Sequence, residues 1–123
     1  MDFDPVSGAI LRGAIRVHTA LGPGLLESAY RACLCHELQK CGLLVQKELP
    51  LPVHYDGLQL DVGYRIDLLV EDSVIVELKV VSHILPVHKA QLLSYMKLSG
   101  KSIGLLINFH VPLLRDGVRR MVL

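Results

Sequence analysis

The stretch V-I-V-E-L-K-V-V at positions 74–81 sets an acid, Glu77, and a base, Lys79, inside an apolar run. Residues two apart on a strand share a face, so the run offers a carboxylate and an ammonium side by side. A second acid, Asp67, stands upstream in R-I-D-L-L-V, and E-D-S at 71–73 reads as the turn between the two segments. A loop over 71–73 makes Val70 face Val74, Leu68 face Val76, Ile66 face Leu78 and Tyr64 face Val80. Both apolar stripes then merge into one buried face. A shorter loop scatters them over both faces, which a core resists. The same register sets Asp67 opposite Glu77 and Arg65 opposite Lys79.

Two carboxylates at cross-strand distance repel unless a cation or a shared proton lies between them. An oxygen-lined pocket of this kind suits Mg²⁺, which keeps several waters and takes one or two carboxylates. A neighbouring lysine can orient a water or stabilise charge on a phosphate. On spacing alone a plainer arrangement leads: a structural ion network in which Arg65 and Lys79 neutralise the acids on a half-exposed sheet face.

The elements that must position these residues follow from period and punctuation. Val6, Ile10, Ala14, Val17 and Leu21 recur at helical spacing, and L-G-P-G at 21–24 ends that helix. A second helix is expected from Leu25 to Lys40, stopped by Gly42. Strands follow, with Asp56-Gly57 as a tight turn. Alternation from Leu58 to Val70 predicts one continuous strand, and Val74 to Val81 the next. Pro86 opens a third helix that Gly100 closes, and S-I-G-L-L-I-N-F-H-V at 102–111 reads as a buried strand. R-D-G-V-R-R at 115–120 reads as a polar, basic tail. The order is α-α-β-β-β-α-β, a single mixed α/β domain over residues 1–123, with a three-strand meander and a further strand in one sheet flanked by helices.

Composition excludes several classes. Hydrophobic residues are 51% and charged residues 20% of the 123, a globular balance. The formal net charge of +1 provides no global attraction to nucleic acid or anionic membrane, so a nucleic-acid role needs a local basic face. Lys89, Lys97, Lys101, Arg115, Arg119 and Arg120 are the candidates for it. Cys33, Cys35 and Cys41 have no disulfide or metal spacing and read as free thiols. No signal peptide is read at the start, and no apolar run is long enough to span a membrane. A reducing, cytoplasmic setting without membrane contact is the expectation.

D-L-L-V-E-D-S-V-I-V-E-L-K resembles the D…(D/E)xK core of the PD-(D/E)XK nuclease superfamily. Gly24, Glu27 and Tyr30 in L-G-P-G-L-L-E-S-A-Y have the spacing that names the GxxExxY family, a bacterial and archaeal branch of it. G-Y-R-I-D-L-L-V, V-I-V-E-L-K, V-H-K-A-Q-L-L-S-Y-M-K-L-S-G and G-L-L-I-N-F-H-V-P resemble further blocks of that family, in the same order. The resemblance implies a restriction-endonuclease-like core and a Mg²⁺- or Mn²⁺-dependent nuclease acting on DNA or RNA. It implies metal ligation by Asp67, Glu77, the Leu78 carbonyl and Glu27, catalysis by Lys79, and support from Gln91. Ile66 stands where the superfamily's name has Pro. Glu27 has a local alternative, a helix pair with Arg31, and Tyr30 is as good a core aromatic as a site residue. The rival function is a non-catalytic module of the same fold that binds nucleic acid or a protein. A homodimer would help so small a chain grip a duplex.

Overall fold

Asp4 starts the first helix. The computed structural model describes residues 4–123, and in it the Asp4 carboxylate accepts the Ser7 N–H at 2.9 Å while Pro5 occupies the first turn. The resulting helix α1 spans Pro5–Leu21, and α2 spans Glu27–Lys40. The two cross closely at Gly13, where a Cβ would stand 3.2 Å from Leu38 and 3.4 Å from Leu34. Helix α2 begins at Glu27 and not at Leu25, because the Leu25 N–H donates to the Tyr30 hydroxyl and Leu26 is the N-cap. Tyr30 also donates to the Gly22 carbonyl and stacks on Phe109 with centroids 4.5 Å apart. It is fully buried and braces the L-G-P-G turn.

Asp4 also binds Arg120 at 3.0 Å, tying the start of α1 to the end of the chain. Burial pushes its carboxyl up, but the Ser7 hydrogen bonds and Arg120 more than reverse this and hold it at about 2. A carboxylate with a depressed folded pKa adds stability above its unfolded value, and that stability is lost as pH falls through the folded one. Asp4→Ala is therefore expected to cost about 1–2 kcal/mol at neutral pH. The gap to wild type should close between about pH 4 and pH 2 in urea titrations, and a gap independent of pH would contradict this account.

The strands are β1 (Val45–Pro50), β2 (Val53–Tyr55), β3 (Leu58–Leu60), β4 (Arg65–Val70), β5 (Val74–Lys79), β6 (Ile103–Asn108) and β7 (Val118–Val122), with α3 (Pro86–Ser99) between β5 and β6. The five-stranded sheet runs β1-β4-β5-β6-β7, and β5 pairs in parallel with β6 across α3. Antiparallel β1, β4 and β5 form the expected meander. The 71–73 loop gives the expected register, with Val70↔Val74 and Leu68↔Val76 paired.

Three sequence expectations are corrected. The strand expected from Leu58 to Val70 is broken between Leu60 and Arg65, where Gly63 has φ +87°. Its first part pairs with β2 in a separate hairpin turned at Asp56-Gly57, both with positive φ. Leu58, Leu60, Val62 and Tyr64 therefore lie exposed on this hairpin and its stem. The basic tail contains β7, which pairs antiparallel with β6 and closes the sheet edge. Ile66 does not join the face of Leu68 and Leu78; it packs in the opposite core cluster.

Both faces of the sheet are covered. Helices α1 and α2 lay Ile10, Ala14, Val17, Tyr30, Leu34 and Leu38 on Leu68, Val70, Val76, Leu78 and Leu105. Leu92, Tyr95 and Met96 of α3 cover Ile66, Leu69, Ile75 and Leu106 on the other side. Helix α3 lies so near β6 that a Cβ on Gly104 would stand 2.7 Å from the Met96 sulfur. A central strand covered on both sides reads as a continuous apolar run, which is why V-I-V-E-L-K is apolar on each face. Glu77 and Lys79 interrupt it where β5 approaches its end.

Candidate active site

The pairing between β4 and β5 runs from the 71–73 loop to Leu68↔Val76. Beyond that point the acids take over the bonding. The Asp67 N–H donates to Glu77 Oε1 at 3.1 Å, and the Leu78 N–H donates to Asp67 Oδ2 at 2.8 Å. Each carboxylate thus satisfies a backbone donor of the facing strand. The ladder itself ends at Leu68↔Val76, and these two side-chain-to-backbone bonds, not a further ladder pair, bring Asp67 and Glu77 together. The Leu78 N–H faces β4, so the carbonyl of the same residue faces the same gap.

Glu77 is only 5% exposed. Burial first, then the charge of Asp67, with a further push from Glu27, raises its carboxyl to about 8. Glu27, in the first turn of α2, is half-buried. Burial and then the Asp67 charge push its carboxyl up, while Lys79 and Arg31 pull it back. The α2 N-terminus therefore carries Glu27 into the field of the paired acids. Arg31 does not make the alternative helix pair with Glu27. Its guanidinium donates instead to Glu48 at 2.8 Å and to Asp67 Oδ1 at 3.4 Å. Glu48 was not singled out by the sequence; it sits on β1 at φ 51°, and only the pairing of β1 with β4 brings it here.

Lys79 Nζ donates to Gln91 Oε1 at 2.9 Å, and Gln91 Nε2 donates to the Tyr95 hydroxyl at 3.1 Å. Gln91 thus meets Lys79, and α3 is the element that delivers it. The end of β5 is held from the other side. The Phe109 N–H donates to the Lys79 carbonyl at 2.9 Å. Buried Asn108 donates to the Val81 carbonyl at 2.8 Å and accepts the Val81 N–H at 3.1 Å. Nothing in a sequence marks Asn108 for this; it is recognisable only from its burial beside a strand end.

Three of the basic candidates are engaged with other groups. Lys101 binds Asp72 at 3.0 Å, beside the start of β5 and so at the far end of the strand from Lys79. Arg120 binds Asp4, and Arg119 donates to the carbonyls of Asp116 and Val118. His88 accepts the Leu85 N–H on Nδ1 and so caps its own helix. His18 bonds the Val111 carbonyl. Cys33, Cys35 and Cys41 are free thiols.

The donor chemistry fits a hard cation. Asp67 and Glu77 each reach the backbone of the facing strand, and a carboxyl raised by burial and then by the Asp67 charge would ionise beside a positive charge. Among the described residues, no three His, Cys, Asp or Glu side chains stand close enough to hold one ion together. The implied set of Asp67, Glu77 and Glu27 is therefore not gathered around one ion, and Asp67 and Glu77 are the pair of carboxylates that could hold one with other oxygen donors.

A mixed sheet between helices, with an acid on one strand and E-L-K at the end of the next, defines an α/β domain of the restriction-endonuclease-like class. A family model for the PD-(D/E)XK nuclease superfamily matches residues 4–121, and the chain belongs to that superfamily. Ile66, at the place of the Pro in that name, is fully buried. Comparison with curated proteins and with solved structures gives no match. Among the described residues, no helix is long and apolar enough to cross a membrane.

Proposed function

We propose that the chain is a Mg²⁺-dependent nuclease of the GxxExxY branch, hydrolysing phosphodiester bonds of DNA or RNA. The observation that carries this reading is the exchange of carboxylates between Asp67 and Glu77 at the opened end of β4 and β5, with Lys79 tethered beside them. Mg²⁺ or Mn²⁺ held by Asp67, Glu77 and the Leu78 carbonyl would supply positive charge to the phosphate and acidify a water. Glu77, its carboxyl raised to about 8 by burial and the Asp67 charge, would ionise when a cation arrives, and Glu27 adds negative charge at the rim. Lys79 holds its ammonium where charge develops on the phosphate, and Gln91 fixes the direction of that ammonium. Arg31 balances Asp67 and Glu48 and keeps the α2 terminus against the sheet.

A second reading, an inactive module that keeps the fold and binds nucleic acid or a protein, is favoured by one observation. Arg31 already neutralises Asp67, which lessens the need for an ion. Incubation of the protein with single- and double-stranded DNA and RNA in Mn²⁺ decides between them. Cleavage that stops on chelation supports the nuclease. Binding without cleavage of any substrate supports the module.

A further inference from the structure

A groove of about 650 Å³ opens directly beside Lys79, within the size range of small-ligand sites. Tyr64, Val87, His88, Gln91 and Tyr95 are among its walls. Lys79 and Gln91 belong both to this groove and to the candidate active site, so whatever fills it lies next to the reacting phosphate. The bonded row from Lys79 through Gln91 to Tyr95 ends against a ring: Tyr64 lies 5.9 Å from Tyr95, tilted by 54°.

Tyr64 is 46% exposed although it is a large aromatic. Its position is nonetheless determined. The Leu51 N–H donates to the Tyr64 carbonyl at 2.8 Å, just after the positive-φ Gly63 that ends the hairpin stem. Opposite it, Val87 is 63% exposed on the first turn of α3. His88 Nδ1 accepts the Leu85 N–H, which leaves Nε2 as the ring's other polar atom. The groove is therefore lined by the Tyr64 ring, which contacts Tyr95, by apolar Val87 and by the polar side chains of Lys79, His88 and Gln91.

We propose that this groove seats an unpaired nucleobase stacked on Tyr64, so that the substrate is single-stranded or locally opened nucleic acid. The inference rests on the nuclease reading for its orientation toward Lys79. A base inside a duplex has both faces covered by its neighbours and cannot enter a groove; an unpaired base brings a free face that stacks on an aromatic ring irrespective of its identity. The polar side chains then meet the base edge, and the attached phosphate falls toward the acids.

The test uses short oligonucleotides carrying 2-aminopurine, as single-stranded DNA, single-stranded RNA and duplex DNA, with Ca²⁺ as the divalent ion so that binding is read without turnover. Wild type is expected to quench the single-stranded probes. Tyr64→Ala should lose the quench and weaken single-strand binding about tenfold, Tyr64→Phe should retain both, and duplex binding should be the same for all three. Melting curves verify that the variants fold. The proposal is overturned if wild type binds no single strand, if Tyr64→Ala quenches like wild type, or if single-strand and duplex binding weaken equally. Parallel reactions in Mn²⁺ separate it from the nuclease reading. Stacking without any cleavage refutes the nuclease and leaves the base site standing. Cleavage of single strands at an unchanged rate by Tyr64→Ala refutes the base site alone.

Discussion

Lys79→Ala is expected to lower metal-dependent cleavage by about 10²–10⁴-fold, with little change in substrate binding. The side chain is half-buried at the end of β5, and its ammonium is aimed by Gln91. Removing it takes away a positive charge positioned in advance of the reaction. The backbone around it should not move, because Phe109 and Asn108 hold the strand end through main-chain groups. Gln91→Ala leaves the ammonium in place but undirected, and a smaller loss of about tenfold is expected. Single-turnover rates for both variants, beside melting curves and metal titrations, make the comparison. A Lys79→Ala protein that cuts at the wild-type rate would remove Lys79 from the mechanism.

Glu77→Gln should stabilise the metal-free protein, and increasingly so as pH rises. The folded carboxyl is raised to about 8 from the ordinary 4.5 of a glutamate. Between those values the unfolded chain has released a proton that the folded chain retains, so stability falls as pH rises through that window. The ceiling on this penalty is about 5 kcal/mol, from 1.4 kcal/mol for each pH unit. The glutamine amide oxygen can still accept the Asp67 N–H, so the strand geometry survives the change. Wild type and variant should melt alike near pH 4 and differ most above pH 8. Divalent metal reverses the order. An ion that binds only the folded state stabilises it by about 1.4 kcal/mol at ten times its dissociation constant. Millimolar Mg²⁺ or Mn²⁺ should raise the wild-type melting temperature and leave Glu77→Gln nearly unmoved. Asp67→Asn should also abolish the response. Wild type that shows no shift with either metal would leave the inactive module as the better account.

Local order was legible where neighbours in sequence are also neighbours in space. Asp56-Gly57 makes its turn because both residues accept positive φ, and the 71–73 loop sets the β4–β5 register because only that register buries Leu68 and Val76 together. Pro86 and Gly100 bound α3 through their own backbone preferences. This register brings the segment of Asp67 near that of Glu77, although the ladder ends one residue short of them and Ile66 turns to the other face.

Partners distant along the chain were decided by the tertiary structure. The apolar alternation from Leu58 onward gave no sign that Gly63 would release a hairpin from the sheet, since an exposed and a buried alternating strand look the same in sequence. The tail at 118–122 became an edge strand because β6 had unpaired donors to satisfy. Arg31 could reach several acids, and the docking of α2 against β1 and β4 selected Glu48 and Asp67 over Glu27. Lys79 likewise met Gln91 only because the absence of a side chain at Gly104 lets α3 lie close to β6. The sequence by itself determined which strands carry the acids and that those acids face one another. Long, flexible side chains take whichever partner the packed helices present, so only the tertiary structure decided how the charges are balanced and what opens beside Lys79.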